Sequence, residues 1–192
     1  MRDSVRALVK SEIVIRDKKG RVLQAIRPRS PKYVINFVDI LQIFLNNTAR
    51  TLTRTNDLNT SYTPSWAYKC NAPANDDSNG LVVGSGANPV AVTDTKLQTQ
   101  IAHGVGAGQL SYSATTISAP STAGSTRKFT VQRMFTNNSG AQVTINEAGL
   151  YIADIGSSQL YKFCFIREAV SPGINVADGA SATVTYTIGV TV

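Results

Sequence analysis

Polar and apolar residues alternate along the second half of the chain, and this pattern predicts β-strands. The clearest run is 182–192, where apolar side chains alternate with threonines over most of its length. Residues 128–135 alternate in the same way. Residues 160–166 are almost continuously apolar, which is typical of a strand buried on both faces. The second half of the chain is therefore predicted to consist of antiparallel strands.

Residues 11–28 have the pattern of a β-hairpin. Apolar runs at 13–15 and 21–26 flank the sequence Asp17-Lys-Lys-Gly20. Glycine adopts a positive φ without a steric penalty, so Gly20 suits the turn of such a hairpin. The pattern predicts two antiparallel strands joined at this turn.

The next segment is predicted to be an amphipathic α-helix. Ser30 suits the N-cap and Pro31 suits the first helical position. An apolar stripe follows at spacings of three and four, formed by Val34, Phe37, Val38, Leu41, Leu45, Thr48 and Leu52. Tyr33, Ile40 and Ile43 project away from that stripe, so this helix is expected to be buried on two sides. Either other parts of the same chain or a neighbouring subunit would cover the second side.

These patterns predict a mainly β protein, an antiparallel β-sandwich of jelly-roll or Ig-like type, with an N-terminal β-hairpin and one helix. Its body is residues 81–192, in which turns recur at intervals of about 8–12 residues. Residues 1–60 form a basic hairpin-plus-helix docking region. Residues 61–80 are a connecting loop rich in Asn, Asp, Thr, Pro and Ser, with Trp66 expected to fasten it to the body.

The net charge of +7 lies entirely in the N-terminal part of the chain. Residues 1–60 contain twelve Lys and Arg against five Asp and Glu, whereas residues 61–192 contain seven of each. Such an excess favours contact with nucleic acid, without sequence preference, or with an acidic protein surface. The residues expected to make this contact are Arg16, Lys18, Lys19, Arg21, Arg27, Arg29 and Lys32.

The composition disfavours an enzyme, and no catalytic, metal-binding or cofactor-binding residues are predicted. The chain has one histidine, His103, and two cysteines, Cys70 and Cys164, which are too few for most catalytic or zinc constellations. His103 is expected to be a turn residue that donates to a backbone carbonyl. No apolar run reaches about 18 residues, and charges occur throughout the first twenty residues, so neither a membrane span nor a signal peptide is predicted.

Three segments of residues 81–192 carry a resemblance to structural proteins of tailed-bacteriophage virions. The first is Leu81-Val-Val-Gly-Ser-Gly-Ala-Asn-Pro-Val-Ala-Val-Thr-Asp-Thr-Lys-Leu97, and the second is Ile145-Asn-Glu-Ala-Gly-Leu-Tyr151. The third comprises Ile166-Arg167, the turn at Asp178-Gly179 and the Thr-rich last strand, in that order. The chain is similar to the neck, tail and capsid-decoration proteins of these particles as a group.

The resemblance implies a non-enzymatic virion subunit that is made in the host cytoplasm and assembles in many copies. Its partners would be copies of itself and the portal, tail or capsid proteins, and the basic region would meet either an acidic protein surface or packaged DNA. No membrane partner is expected. A basic docking region favours the neck or tail. Capsid decoration is the alternative within this class. A further alternative is a carbohydrate- or receptor-binding sandwich, in which Tyr62, Trp66 and Tyr68 would form an aromatic platform.

Overall fold

The chain forms antiparallel sheets, as a computed structural model shows for residues 6–28, 31–34, 36, 40, 50–62, 68–154 and 161–191. No helix is among the elements of these residues. None of the described residues forms a helix long and apolar enough to cross a membrane. The strands are β1 (Arg6–Arg16), β2 (Val22–Ile26), β3 (Lys32–Tyr33), β4 (Arg50–Thr53), β5 (Asn59–Tyr62), β6 (Tyr68–Lys69), β7 (Gly80–Gly84), β8 (Ser111–Tyr112), β9 (Thr116–Ile117), β10 (Ser121–Ala123), β11 (Thr126–Thr136), β12 (Val143–Asp154), β13 (Lys162–Val176) and β14 (Ser181–Thr191).

The first sheet has three long central strands with short strands at both edges. Its order is β10-β11-β14-β1-β2, and β8 and β9 also pair with β11. Strand β14 pairs with β1 from Arg6 opposite Thr191 to Arg16 opposite Ser181. The predicted alternation in β14 is confirmed, because Ala182, Val184 and Tyr186 are buried while the intervening threonines are partly exposed.

The second sheet has the order β3-β13-β12-β6, and β7 also pairs with β12. Strands β12 and β13 form its centre, and β7 is buried along its whole length. Strands β4 and β5 form a third sheet of two strands, which, among the described strands, pairs with neither of the large sheets. Because β1 and β2 belong to the first sheet and β3 to the second, the predicted N-terminal region contributes strands to both.

One hydrophobic cluster contains residues of both large sheets. It includes Ile13 and Val184 from the first sheet, and Leu81, Ile145 and Ile166 from the second. All five are fully buried. Burying an aliphatic side chain contributes about 1.5–3 kcal/mol to folding, so this shared core is a main source of stability.

Two buried arginines fix the loops around this core. Arg133 lies on the core-facing side of β11 and donates to the carbonyls of Ser113, Asn79, Leu81, Pro73 and Asp76 at 2.6–3.1 Å. Its guanidinium carbon also lies 4.7 Å from the ring centroid of Tyr112. Arg167 on β13 binds Glu147 at 2.8 Å and Asp94 at 2.7 Å. These contacts hold residues 73–81 and the loop after β7 against the sheets.

The predicted helix of residues 31–52 is not seen, and both of its ends are strands. Lys32 and Tyr33 pair with Arg167 and Ile166 in the second sheet. Residues 50–53 pair with 59–62 in the two-stranded sheet. At these two ends, pairing with a neighbouring strand therefore outweighs helix propensity, whereas Asn36 and Ile40, the described residues between them, have helical backbone. Residues 29–30, 35, 37–39 and 41–49, which include most of the predicted apolar stripe, lie outside the described residues.

Candidate partner-binding surface

A tight turn positions the first hairpin. The N–H of Gly20 donates to the carbonyl of Asp17 at 2.9 Å, and Gly20 has φ of 78°. The Asp17 carboxylate accepts hydrogen bonds from the backbone N–H groups of Lys19 and Arg21 at 2.8 and 2.9 Å. The Arg21 side chain also donates to this carboxylate and holds the pKa of Asp17 below its usual value. The turn predicted at Asp17–Gly20 is therefore confirmed.

The hairpin gathers five of the predicted basic residues, and four make contacts through their side chains. Arg21 and Arg27 pair with Asp17 and Glu12 at 2.7 and 3.0 Å, and Lys18 lies 3.9 Å from Asp178. Arg16 donates to the Gly20 carbonyl at 3.0 Å. The side chains of Lys18, Arg21 and Arg27 are 71 %, 73 % and 83 % exposed. Water screens such ion pairs, so these cations remain able to exchange partners.

Strand β2 forms one edge of the first sheet and exposes an uncharged sequence, Val22-Leu-Gln-Ala-Ile26. Val22 and Leu23 are 54 % and 58 % exposed. Gln24 stands opposite the buried Ile15, on the core side of the sheet, yet it is exposed as well. Residues 22–25 of β2 are therefore exposed on both faces of the sheet, while Ile26 at the end of the strand packs against the core.

We call β2 together with Arg16, Lys18, Lys19, Arg21 and Arg27 the hairpin surface. Three carboxylates, those of Asp17, Glu12 and Asp178, lie against these five cations. Five cations against three anions leave two positive charges on this surface. It thus combines an exposed, uncharged strand with an excess of positive charge at the turn end, where Arg16, Lys18, Lys19 and Arg21 face Asp17 and Asp178, while Arg27 at the other end is balanced by Glu12.

The other predicted site residues lie elsewhere or outside the described residues. Lys32 is exposed on β3, in the second sheet and not in the hairpin. Arg29 and Ile43 lie outside the described residues. Ile40 is buried beside residues of its own chain, which are Leu52, Ile152 and Phe163.

Tyr33 lines an apolar groove between the two sheets. The groove has a volume of ≈ 410 Å³, with Phe129, Ile188 and Val190 along its walls and the cations Arg127 and Lys128 beside them. Partial burial raises the pKa of the Tyr33 hydroxyl above its usual value. Tyr33 thus contributes to a groove at strands β11 and β14 of the first sheet, which are separated from β2 by β1.

The candidate aromatic platform is described only in part. Trp66 and the side chain of Tyr62 lie outside the part of the chain that the structure describes. Tyr68 is partly buried on β6, which is an edge strand of the second sheet.

His103 makes a hydrogen bond to the backbone, Cys70 is partly buried and Cys164 is fully buried. The Nδ1 atom of His103 accepts a hydrogen bond from the Tyr112 N–H at 3.2 Å, so the predicted donation to a carbonyl would have to come from Nε2. Burial raises the pKa of the Cys70 thiol to about 11 and raises that of Cys164 further. Both thiols are free.

Sequence reasoning missed a buried polar group that bridges the two large sheets. Glu168 on β13 accepts a hydrogen bond from the Ser11 hydroxyl of β1 at 2.5 Å. Among the described residues, its Oε1 atom has no hydrogen-bond partner. Burial raises the pKa of Glu168 to about 7, against a smaller opposing effect of the hydroxyls of Ser11 and Tyr186. The available indication was an acidic residue between the apolar stretch that ends at Ile166 and the apolar pair Ala169-Val170.

No protein-family model, curated protein sequence or solved structure matches this chain.

Proposed function

We propose that this chain is a non-enzymatic structural subunit of a tailed-phage particle, at the neck or tail, and that it docks through the hairpin surface. In this proposal the two large sheets form a jelly-roll or Ig-like sandwich that serves as the rigid unit. The exposed apolar edge strand β2, with cations at both of its ends, is the observation that carries the docking role. The resemblance of residues 81–192 to virion proteins supports the assignment of the chain to a tailed-phage particle.

An unprotected edge strand is costly for a protein that works alone. Soluble monomers commonly protect such edges with charged residues, proline or a covering loop, because open backbone groups pair with other chains. Residues 22–26 contain neither charge nor proline, and Val22 and Leu23 stand in solvent. A subunit that buries this edge on assembly removes both the apolar exposure and the open backbone.

The location of the chain in a particle tests the proposal directly. Mass spectrometry of purified virus particles from the producing cells is expected to detect the chain in many copies per particle. Cryo-electron microscopy of those particles then assigns it to the neck and tail or, as in the alternative, to a capsid-decoration position. Particles that are complete and infectious without the chain would overturn the proposal.

Replacing Leu23 with lysine is expected to reduce incorporation into particles at least about tenfold. Burying a leucine contributes about 1.5–3 kcal/mol, and about 1.4 kcal/mol corresponds to a factor of ten in affinity. The free subunit should keep its melting temperature, because Leu23 is 58 % exposed. The measurement is the ratio of this chain to the major capsid protein in particles made with the variant.

Val105→Lys is the matched control for Leu23→Lys. Val105 is 63 % exposed and lies in a loop away from the hairpin. It introduces the same charge at an equally accessible apolar position, so incorporation should stay within about twofold of the unmodified chain. Equal incorporation of the two variants would contradict docking through β2.

A further inference from the structure

We infer that β2 binds an extended, acidic strand of a different protein, which adds to the edge of the first sheet by backbone hydrogen bonds. This inference rests on the proposed function, in which that protein is another component of the particle. It specifies the chemistry of the partner segment: an uncharged centre of strand-forming residues with a carboxylate at each end.

The backbone of β2 is available for strand addition. Strand β2 pairs with β1 on one side, and none of the described strands pairs with its other side. An extended segment added there can satisfy the open N–H and C=O groups, which supplies affinity, while alternate side chains supply specificity. Leu23 is exposed on one face of the sheet and Gln24 on the other. Side chains of β2 can therefore contact those of an added strand on both faces of the sheet.

The charge of the hairpin surface selects an acidic partner. Arg21 stands immediately before β2 and Arg27 immediately after it, while the strand itself is uncharged. Carboxylates about six residues apart in the partner strand would therefore lie near both arginines, since a strand rises about 3.3 Å per residue. Pairing with a strongly exposed arginine requires only that its present surface ion pair, to Asp17 or Glu12, be exchanged or shared.

A second copy of the same chain is a poor occupant of this edge. Pairing of β2 with β2 of another copy would bring the two sets of cations together, and like charges oppose such pairing. The opposite edge of the sheet is basic too, because β10 pairs with residues 126–128, which include Arg127 and Lys128. Neither edge of the first sheet thus complements the hairpin surface in charge.

DNA also fits this surface less well than an acidic strand does. Affinity for DNA comes largely from Lys and Arg that neutralise phosphates. Three of the five cations already lie against carboxylates, and the centre of the surface is the aliphatic pair Val22 and Leu23. Aliphatic side chains and an open strand backbone suit a polypeptide better than a phosphate backbone.

Binding of designed peptides to the full chain tests this inference. The probe is a fluorescent heptapeptide, Glu-Thr-Val-Thr-Val-Thr-Glu, and its twin carries lysine at both ends. A third peptide has the acidic sequence with alternate backbone amides N-methylated on the pairing edge. Fluorescence anisotropy gives the affinity of each peptide, and amide chemical shifts of residues 22–26 report where it binds.

The acidic peptide is expected to bind at least about tenfold more tightly than the lysine twin, with an affinity that falls as salt is added. N-methylation is expected to abolish binding. Equal binding of the two sequences, full binding of the N-methylated peptide, or no binding of the acidic peptide would each overturn the inference. A DNA duplex that binds at residues 16–27 and displaces the acidic peptide would identify nucleic acid as the partner instead.

Substitutions in the chain separate the charge effect from damage to the fold. Arg21→Gln combined with Arg27→Gln is expected to remove most of the preference for the acidic peptide. Arg127→Gln changes an exposed cation beside the opposite edge and is expected to leave that preference unchanged.

If no peptide binds but the chain is present in particles, strand addition is wrong and the proposed function stands. If the peptide binds but particles lack the chain, the proposed function is wrong.

Discussion

Replacing Arg167 with methionine is expected to lower the free energy of unfolding by about 3–5 kcal/mol, the range found when one partner of a buried ion pair is removed. The Arg167 side chain is fully buried and donates to Glu147 twice, at 2.8 and 3.0 Å, and to Asp94 at 2.7 Å. It also donates to the carbonyls of Asn88 and Pro89. Methionine would leave the fully buried carboxylate of Glu147 without its countercharge. Denaturant titration of the purified chain measures the change.

Two further variants test the electrostatic cause of that loss. Arg127→Met removes an exposed arginine and is expected to change the unfolding free energy by no more than about 0.5 kcal/mol. Combining Arg167→Met with Glu147→Gln removes both charges and should recover part of the stability lost in the single variant. A loss below about 1 kcal/mol for Arg167→Met would contradict the role of this pair.

A second large effect is expected in the pH dependence of stability, which Glu168 should dominate near neutrality. Its pKa is about 7 in the folded chain, compared with 4.5 for an ordinary glutamate. Between these values the folded state holds a proton that the unfolded state has lost, so stability falls as pH rises. Each pKa unit corresponds to about 1.4 kcal/mol, so the total loss through pH 7 is about 3 kcal/mol.

Glu168→Gln is expected to remove this loss, because glutamine resembles the protonated carboxyl and does not titrate. The measurement is the difference in unfolding free energy between the variant and the unmodified chain from pH 5 to pH 8. That difference should move in favour of the variant by about 2.5 kcal/mol over this range, since the first part of the loss falls below pH 5. Glu12→Gln, a partly exposed carboxylate on β1, is the control and should keep the dependence of the unmodified chain. A pH-independent difference for Glu168→Gln would contradict the assignment.

Local alternation was sufficient to predict the longest strands. Residues 182–187 and 130–135 alternate in the sequence and alternate in burial in the structure. The continuous apolar stretch ending at Ile166 corresponds to a strand whose residues Phe163 and Cys164, on opposite faces, are both buried. The first hairpin follows from its turn residues. These features depend on neighbours in sequence, which is why a single chain reveals them.

The failed helix and the buried charges depend on distant partners. Lys32 and Tyr33 become a strand because they pair with β13, more than a hundred residues later, and no local pattern reports that contact. Arg133 does occupy an apolar-facing position between Val131 and Phe135, so its burial could have been anticipated. The five carbonyls that accept from it could not. The exposure of β2 on both faces likewise depends on where the second sheet ends.

Pairing between β1 and β14 has a consequence for biosynthesis. Strand β1 leaves the ribosome first among the described strands, but its partner on one side is the last, with Arg6 opposite Thr191. At elongation rates of about 5–20 residues per second, the nascent β1 waits roughly 10–40 s for that partner. During this interval the β1–β2 hairpin cannot be seated in its sheet, so chaperone contact is expected to concentrate on the early hairpin and to end once β14 has been made and paired.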